Sequence, residues 1–110
     1  MSDIDFRLAN IDRLTQAMKD GEVSPVELME WYLDRIEKLN PSLNAYITVC
    51  GDEAIKQAKK AEEKLVRKSE TGPLVGIPIA LKDQIFTKGV LTTNGSLYYK
   101  NHIPSEDATV

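Results

Sequence analysis

The sequence predicts an α/β fold in which helices come first and the start of a sheet follows. Apolar residues recur at helical spacing in three segments, and two short runs, residues 45–49 and 74–81, have the composition of strands. Because one weak strand and one central strand cannot complete a sheet, we expect these 110 residues to hold only part of the fold.

The first two helices are indicated by apolar spacing and by start and stop signals. Between residues 10 and 20, apolar side chains recur at helical spacing, and Gly21 follows as a typical stop. Ser24 and Glu27 form a capping-box pattern around a proline at the first helical position. This second helix is expected to end near residues 40–41, because a proline disfavours helical geometry in the residue before it.

A strand and a third helix are predicted next. Residues 45–49 are rich in β-branched and aromatic side chains between turn-prone flanks, which predicts a strand. From residue 52 to about residue 68, alanines and a leucine line one face at helical spacing, which predicts a helix that packs closely on a larger body. The lysines of this segment alternate with glutamates, a pattern more typical of a solvated face than of a nucleic-acid-binding one.

The most apolar stretch of the chain runs from Leu74 to Leu81 and is typical of a strand covered on both faces. Strand alternation places Lys82 on the same side as Pro78 and Ala80, at a strand end where α/β sheets commonly bind ligands. Two interpretations stay open: the strand has ended and Lys82 reaches water, or the lysine is desolvated and can act as a general base. Asp83 would face the other way, so a pairing with Lys82 is not indicated.

Other polar residues are weaker candidates for a site. Residues 89–96 hold two glycines and four small polar side chains, which would let backbone approach a ligand, although such a stretch is more often only a turn. Ser96 lacks the glycine-flanked elbow of a nucleophile. His102, the sole histidine, is interpreted as a surface residue, and Cys50, the sole cysteine, as a small buried hydrophobe.

The composition disfavours several classes of protein. A hydrophobic share of 42% and a charged share of 28% are typical of an ordered globular chain. The net charge of -3 argues against broad electrostatic binding of nucleic acid. No apolar run is long enough to cross a membrane, and the first residues lack the pattern of a signal peptide. We therefore expect a cytoplasmic protein without a membrane partner, a metal or another cofactor.

The run from Gly72 to Asp83, Gly-Pro-Leu-Val-Gly-Ile-Pro-Ile-Ala-Leu-Lys-Asp, resembles the first conserved block of the amidase-signature family. Further pieces resemble the same family in the same order: residues 24–28, 39–46, 92–93 with 95–96, and 106–108. The resemblance implies a mixed sheet flanked by helices. Residues 1–70 would form a helical region with one strand, and residues 71–110 the first part of the catalytic core, within one continuous domain.

The family resemblance also implies a chemistry, the hydrolysis of a carboxamide by a Ser-cis-Ser-Lys triad. Lys82 matches the catalytic lysine, which would deprotonate a bridging serine so that this serine activates the nucleophilic one. Both serines would lie beyond Val110, so we expect the chain alone to be inactive and to need the rest of its polypeptide to fold well.

Three functions are compatible with this sequence. The first is the amino-terminal part of a stand-alone amidase acting on a small-molecule amide, which the sequence alone slightly favours. The second is the A subunit of a glutamyl-tRNA or aspartyl-tRNA amidotransferase, in which the same triad releases ammonia from glutamine for a partner subunit. The third is a non-catalytic fragment or interaction module. Contact with nucleic acid is expected only in the second case, and a homodimer is a further option.

Overall fold

The computed structural model describes residues 3–110, whose regular structure is entirely helical. The described elements are α1 (Ile11–Lys19), α2 (Pro25–Leu43), α3 (Gly51–Val66) and a short 3-10 helix (Leu97–Tyr99). The three predicted α-helices are confirmed, and α2 continues through Pro41 until Asn44, whose φ of 51° ends it in left-handed geometry. Of the helices described, none is both long enough and apolar enough to cross a membrane.

The described residues group into two compact units. The first contains residues 3–43 and 50–78, and with them all three α-helices. The second contains residues 44–49 and 79–110, and with them the 3-10 helix and Lys82.

The start of α2 is fixed by the predicted capping box. The Ser24 hydroxyl accepts the Glu27 backbone N–H at 3.0 Å, and the Glu27 carboxylate accepts the Ser24 N–H at 3.1 Å. Val23 and Leu28, which lie immediately before and immediately after this box, are 3% and 0% exposed and belong to the same core cluster. The box therefore sets the angle at which the chain enters α2, because the flanking side chains are held in the core.

The core of the first unit lies between α1 and the start of α2. Its buried members are Leu14, Ala17, Met18, Val23 and Leu28. Ile77 packs against this cluster from the apolar stretch near residue 76, and α3 packs against α2. Part of the run from Gly72 to Asp83 is therefore a structural component of the helical core.

Gly76 makes this close approach sterically feasible. Its φ is +80°, and a Cβ at this position would lie 2.9 Å from the Met18 sulfur and 2.9 Å from Cγ of Pro25. Both the backbone conformation and the space therefore require glycine.

The two predicted strands are not observed, so within the described residues the structure bears out the helical part of the α/β prediction and does not show the start of its sheet. Residues 45–49 are irregular, and residues 74–77 form a turn in which the Ile77 N–H donates to the Leu74 carbonyl at 3.0 Å. Ile79 and Leu81, expected inside a sheet, are 82% and 49% exposed. The physical reason is that a strand needs a hydrogen-bonding neighbour, and the described residues supply none.

The sole histidine and the sole cysteine also lie differently from their interpretations. His102 is half-buried, with its ring centroid 4.9 Å from that of Phe86 and 5.3 Å from that of Tyr99. Its Nδ1–H donates to the Thr92 carbonyl at 3.1 Å, and its own carbonyl accepts the Thr92 N–H at 2.9 Å. His102 thus connects the segments around Phe86, Thr92 and Tyr99. Cys50 is exposed at the start of α3.

We expect Gly76→Ala to destabilise the protein more than Gly21→Ala does. Gly21 has a similar φ of +75° but open space around its would-be Cβ, so its replacement introduces only backbone strain of about 1–2 kcal/mol. Gly76→Ala adds a clash with Met18 and Pro25 that costs about 1–3 kcal/mol more. Urea unfolding of both variants measures the difference, and equal losses of stability would contradict the close packing at Gly76.

Candidate active site

Lys82, the predicted catalytic residue, lies at the start of a turn in the second unit. Its carbonyl accepts the Ile85 N–H at 3.0 Å, and its side chain is exposed. Of the two interpretations of Lys82, the structure therefore shows the one in which the lysine reaches water. Its role in catalysis stays a prediction.

Asp83, the next residue, joins this turn to the segment around Thr93. One carboxylate oxygen accepts the Thr93 backbone N–H at 2.8 Å, and the other accepts the Thr93 hydroxyl. The Asp83 carbonyl also accepts the Asn94 N–H at 2.8 Å. Within the described residues, the carboxylate is thus bonded to Thr93 and forms no ion pair with Lys82.

The hydrogen bonds to Asp83 favour its ionised form. The side-chain bond from Thr93 is the main cause, followed by the backbone bond from the same residue, and together they hold the pKa of Asp83 below its usual value despite some opposing desolvation. The carboxylate therefore accepts both bonds throughout the neutral pH range.

The segment bound by Asp83 is a tight turn. The Thr93 carbonyl accepts the Ser96 N–H at 2.9 Å, and the two central residues, Asn94 and Gly95, have φ of 54° and 66°. Positive φ at both central positions is typical of a type I′ turn, for which Asn-Gly is the favoured pair. The Thr93 hydroxyl also accepts the Gly95 N–H at 3.2 Å, so one side chain bonds both the turn and Asp83.

Ser96 has a structural position in this arrangement. Its hydroxyl oxygen accepts the Tyr98 N–H at 3.2 Å and caps the 3-10 helix. The weak alternative in which Ser96 is the nucleophile for Lys82 therefore gains no support from its contacts. The described residues likewise hold no group of three or more His, Cys, Asp or Glu side chains that could bind a metal ion.

The sequence interpretation missed the connection between Asp83 and Thr93. It treated residues 89–96 as a possible ligand contact or a simple turn and assumed a regular strand at Asp83. The Asn94-Gly95 pair was the available signal, because this dipeptide marks a tight reversal. Chemically, the site presents one exposed amine on a backbone that is anchored at the following residue.

Comparison with known proteins places this site in a family. Residues 27–110 match the family model for amidase. The A subunit of the glutamyl-tRNA(Gln) amidotransferase of Thioalkalivibrio sulfidiphilus is 47% identical over 100 residues, which cover 91% of this chain and 20% of that protein. The protein of the same name from Carboxydothermus hydrogenoformans is 41% identical over 88% of this chain and 20% of its own length. The one from Gloeothece citriformis is 41% identical over 94% of this chain and 21% of its own length.

The chain thus spans about a fifth of the length of the curated relatives it matches. The family match includes Lys82, Asp83 and Thr93, and it covers most of the sequence. The family expected from the run Gly72 to Asp83 is therefore confirmed, and the chain belongs to the amidase-signature family.

Proposed function

We propose that this chain supplies the catalytic lysine, Lys82, to an amide-hydrolysing enzyme with a Ser-cis-Ser-Lys triad. The observation that carries the proposal is the match of residues 27–110 to the amidase family, which takes in the whole lysine-bearing run. Because the chain spans about a fifth of its relatives' length, the two serines of the triad would come from a longer polypeptide.

In this proposal the lysine acts as the base at the end of a proton relay. Neutral Nζ of Lys82 takes the proton of the bridging serine, which takes the proton of the nucleophilic serine. The nucleophilic oxygen attacks the amide carbonyl, the C–N bond breaks, and the leaving nitrogen receives the proton that the bridging serine and Lys82 had taken up. Water then hydrolyses the acyl-serine to the carboxylate. A relay is needed because a serine hydroxyl is a weak nucleophile at neutral pH.

This chemistry requires Lys82 to be neutral, and exposure to water favours the ammonium form. Burial favours the neutral amine because it removes the hydration of the charge. The neighbouring Ile79 and Leu81 expose large apolar surfaces that other segments of a longer protein could cover. The sequence pattern predicts a covered strand over residues 74–81. We therefore propose that at least residues 77–81 become such a strand in that protein, and that the same cover desolvates Lys82.

Hydrogen exchange tests the proposed cover. In a polypeptide of the relatives' length, the amides of Ile77, Ile79 and Leu81 are expected to exchange about as slowly as the hydrogen-bonded amides of α1, because each would be paired in a sheet. Mass spectrometry of peptides that span residues 74–82 measures this, with residues 11–19 as the internal reference. Exchange at the rate of an exposed loop would contradict the covered strand.

The relatives also bear on the substrate. The sequence alone slightly favours a stand-alone amidase, but the three similar proteins are named as A subunits of a glutamyl-tRNA(Gln) amidotransferase. We propose that the longer protein has this role too, releasing ammonia from glutamine for a partner subunit.

Substitution of Lys82 tests the catalytic assignment. In the longer polypeptide, Lys82→Ala is expected to lower kcat for amide hydrolysis by about 10²–10⁴-fold, the usual contribution of a general base. Lys82→Arg is expected to fail as well, since a guanidinium keeps the charge but stays protonated. Lys88→Ala serves as the matched control, because Lys88 is another exposed lysine of the same unit. Its backbone N–H donates to Asp107 at 2.7 Å, and the substitution keeps this bond.

The kinetic measurement is ammonia release at saturating substrate, with circular dichroism to confirm that each variant is folded. Full activity of Lys82→Ala would overturn the assignment. The chain of 110 residues alone is expected to release no ammonia.

A comparison of amides separates the amidotransferase from the stand-alone amidase. With its partner subunits, the longer protein is expected to hydrolyse glutamine at least about tenfold more efficiently than acetamide, because the charged α-amino and carboxylate groups of glutamine supply extra hydrogen bonds worth about 1.5–3 kcal/mol each. The measurement is kcat/KM for ammonia release with and without the partners. Equal efficiency on simple amides, independent of partners, would indicate the stand-alone amidase, and no turnover of any amide would indicate a non-catalytic module.

A further inference from the structure

We propose that Asp83 and Thr93 position Lys82 for its role as the catalytic base. These two residues are called the Asp83–Thr93 pair. This inference rests on the proposed function and extends it from the lysine to the residues that would hold the lysine in place. Asp83 is bonded to its partner through both carboxylate oxygens, and its carbonyl is bonded to Asn94. Neither residue of the pair needs to touch substrate, so both are positioning residues.

The pair acts on Lys82 through the backbone. The peptide bond between Lys82 and Asp83 is planar, so only ψ of the lysine and φ of the aspartate are free at this junction. The Lys82 carbonyl is held by the Ile85 N–H at 3.0 Å, and the Asp83 carbonyl is held by the Asn94 N–H at 2.8 Å. With both carbonyls engaged, the Cα of Lys82 has a fixed place from which its side chain extends.

Thr93 connects this anchor to the type I′ turn. Its hydroxyl donates to Asp83 and accepts the Gly95 N–H at 3.2 Å, so its donor and one of its two acceptor positions are in use. The left-handed conformation of Asn94 is unfavourable for a non-glycine residue, and the bond from its N–H to Asp83 helps to hold it. The lysine-bearing turn and the type I′ turn are therefore held as one unit.

Positioning of this kind affects the rate more than substrate binding. A base that is displaced by about 1 Å loses about 10²-fold in rate, even though the substrate pocket is unchanged. A purely structural role for the pair would instead reduce the amount of folded protein and leave kcat per folded molecule intact. A loss of kcat per folded molecule with an unchanged KM therefore indicates positioning, and an unchanged kcat per folded molecule indicates a purely structural role.

The experiment compares threonine variants of the full-length protein with its partner subunits. Thr93→Val keeps the shape but removes the hydroxyl and is expected to lower kcat by about 10²-fold with little change in KM. Thr93→Ser keeps the hydroxyl and is expected to restore most of the rate. Asp83→Asn replaces one of the two accepting oxygens by an N–H₂ group, which cannot accept, and is expected to behave like Thr93→Val. Thr87→Val is the matched control, because the Thr87 hydroxyl donates within its own turn, to the Ile85 carbonyl at 3.1 Å.

All rates are expressed per folded molecule, measured by circular dichroism. Wild-type kcat in Thr93→Val, or an equal loss in Thr93→Ser, would overturn the positioning role. A loss of folded protein with normal kcat would overturn it as well. The Lys82→Ala variant separates the two hypotheses. If it is inactive while Thr93→Val is fully active, only the positioning role fails, whereas full activity of Lys82→Ala overturns the proposed function and the positioning role with it.

Discussion

The first unit depends on the close approach of Gly76 to the helices. A Cβ at residue 76 would lie 2.9 Å from atoms of Met18 and Pro25, and the next residue, Ile77, packs against the buried cluster. The run that identifies the family therefore has two physical functions. Its glycine-containing part completes a helical core, and its last part presents a lysine. A substitution in this run can thus reduce activity through stability alone, with no effect on the lysine.

The three α-helices could be predicted from the sequence because their signals are local. The Ser24–Glu27 capping box and the stop at Gly21 each involve only residues next to a helix end. The box is observed as two hydrogen bonds, and Gly21 has a positive φ. The predicted strands at residues 45–49 and 74–81 depend instead on partners distant in sequence. Apolar composition indicates a segment that is suited to a sheet, but only a neighbouring strand can supply its hydrogen bonds.

The candidate site shows the same division. Lys82 is predicted from its place after an apolar stretch and from the family resemblance, without reference to any contact. The bonds that Thr93 and Asn94 donate to Asp83 could not be predicted in this way, since they connect two separate turns of the chain. The assumption of a regular strand at Asp83 also hid the connection. A strand would have directed the carboxylate to the face opposite Lys82, whereas the observed turn uses it as an acceptor for the backbone that follows.

The exposure of Lys82 and the anchoring of its backbone fit one physical scheme. A lysine that serves as a base must be neutral, and burial favours the neutral amine. A buried amine also needs hydrogen-bond partners, so its backbone has to hold it at a defined position. Asp83 can define that position because it stays ionised and hydrogen-bonded at neutral pH, independently of the state of Lys82. Local hydrogen bonds would therefore determine where the amine lies, and the surrounding protein would determine its charge.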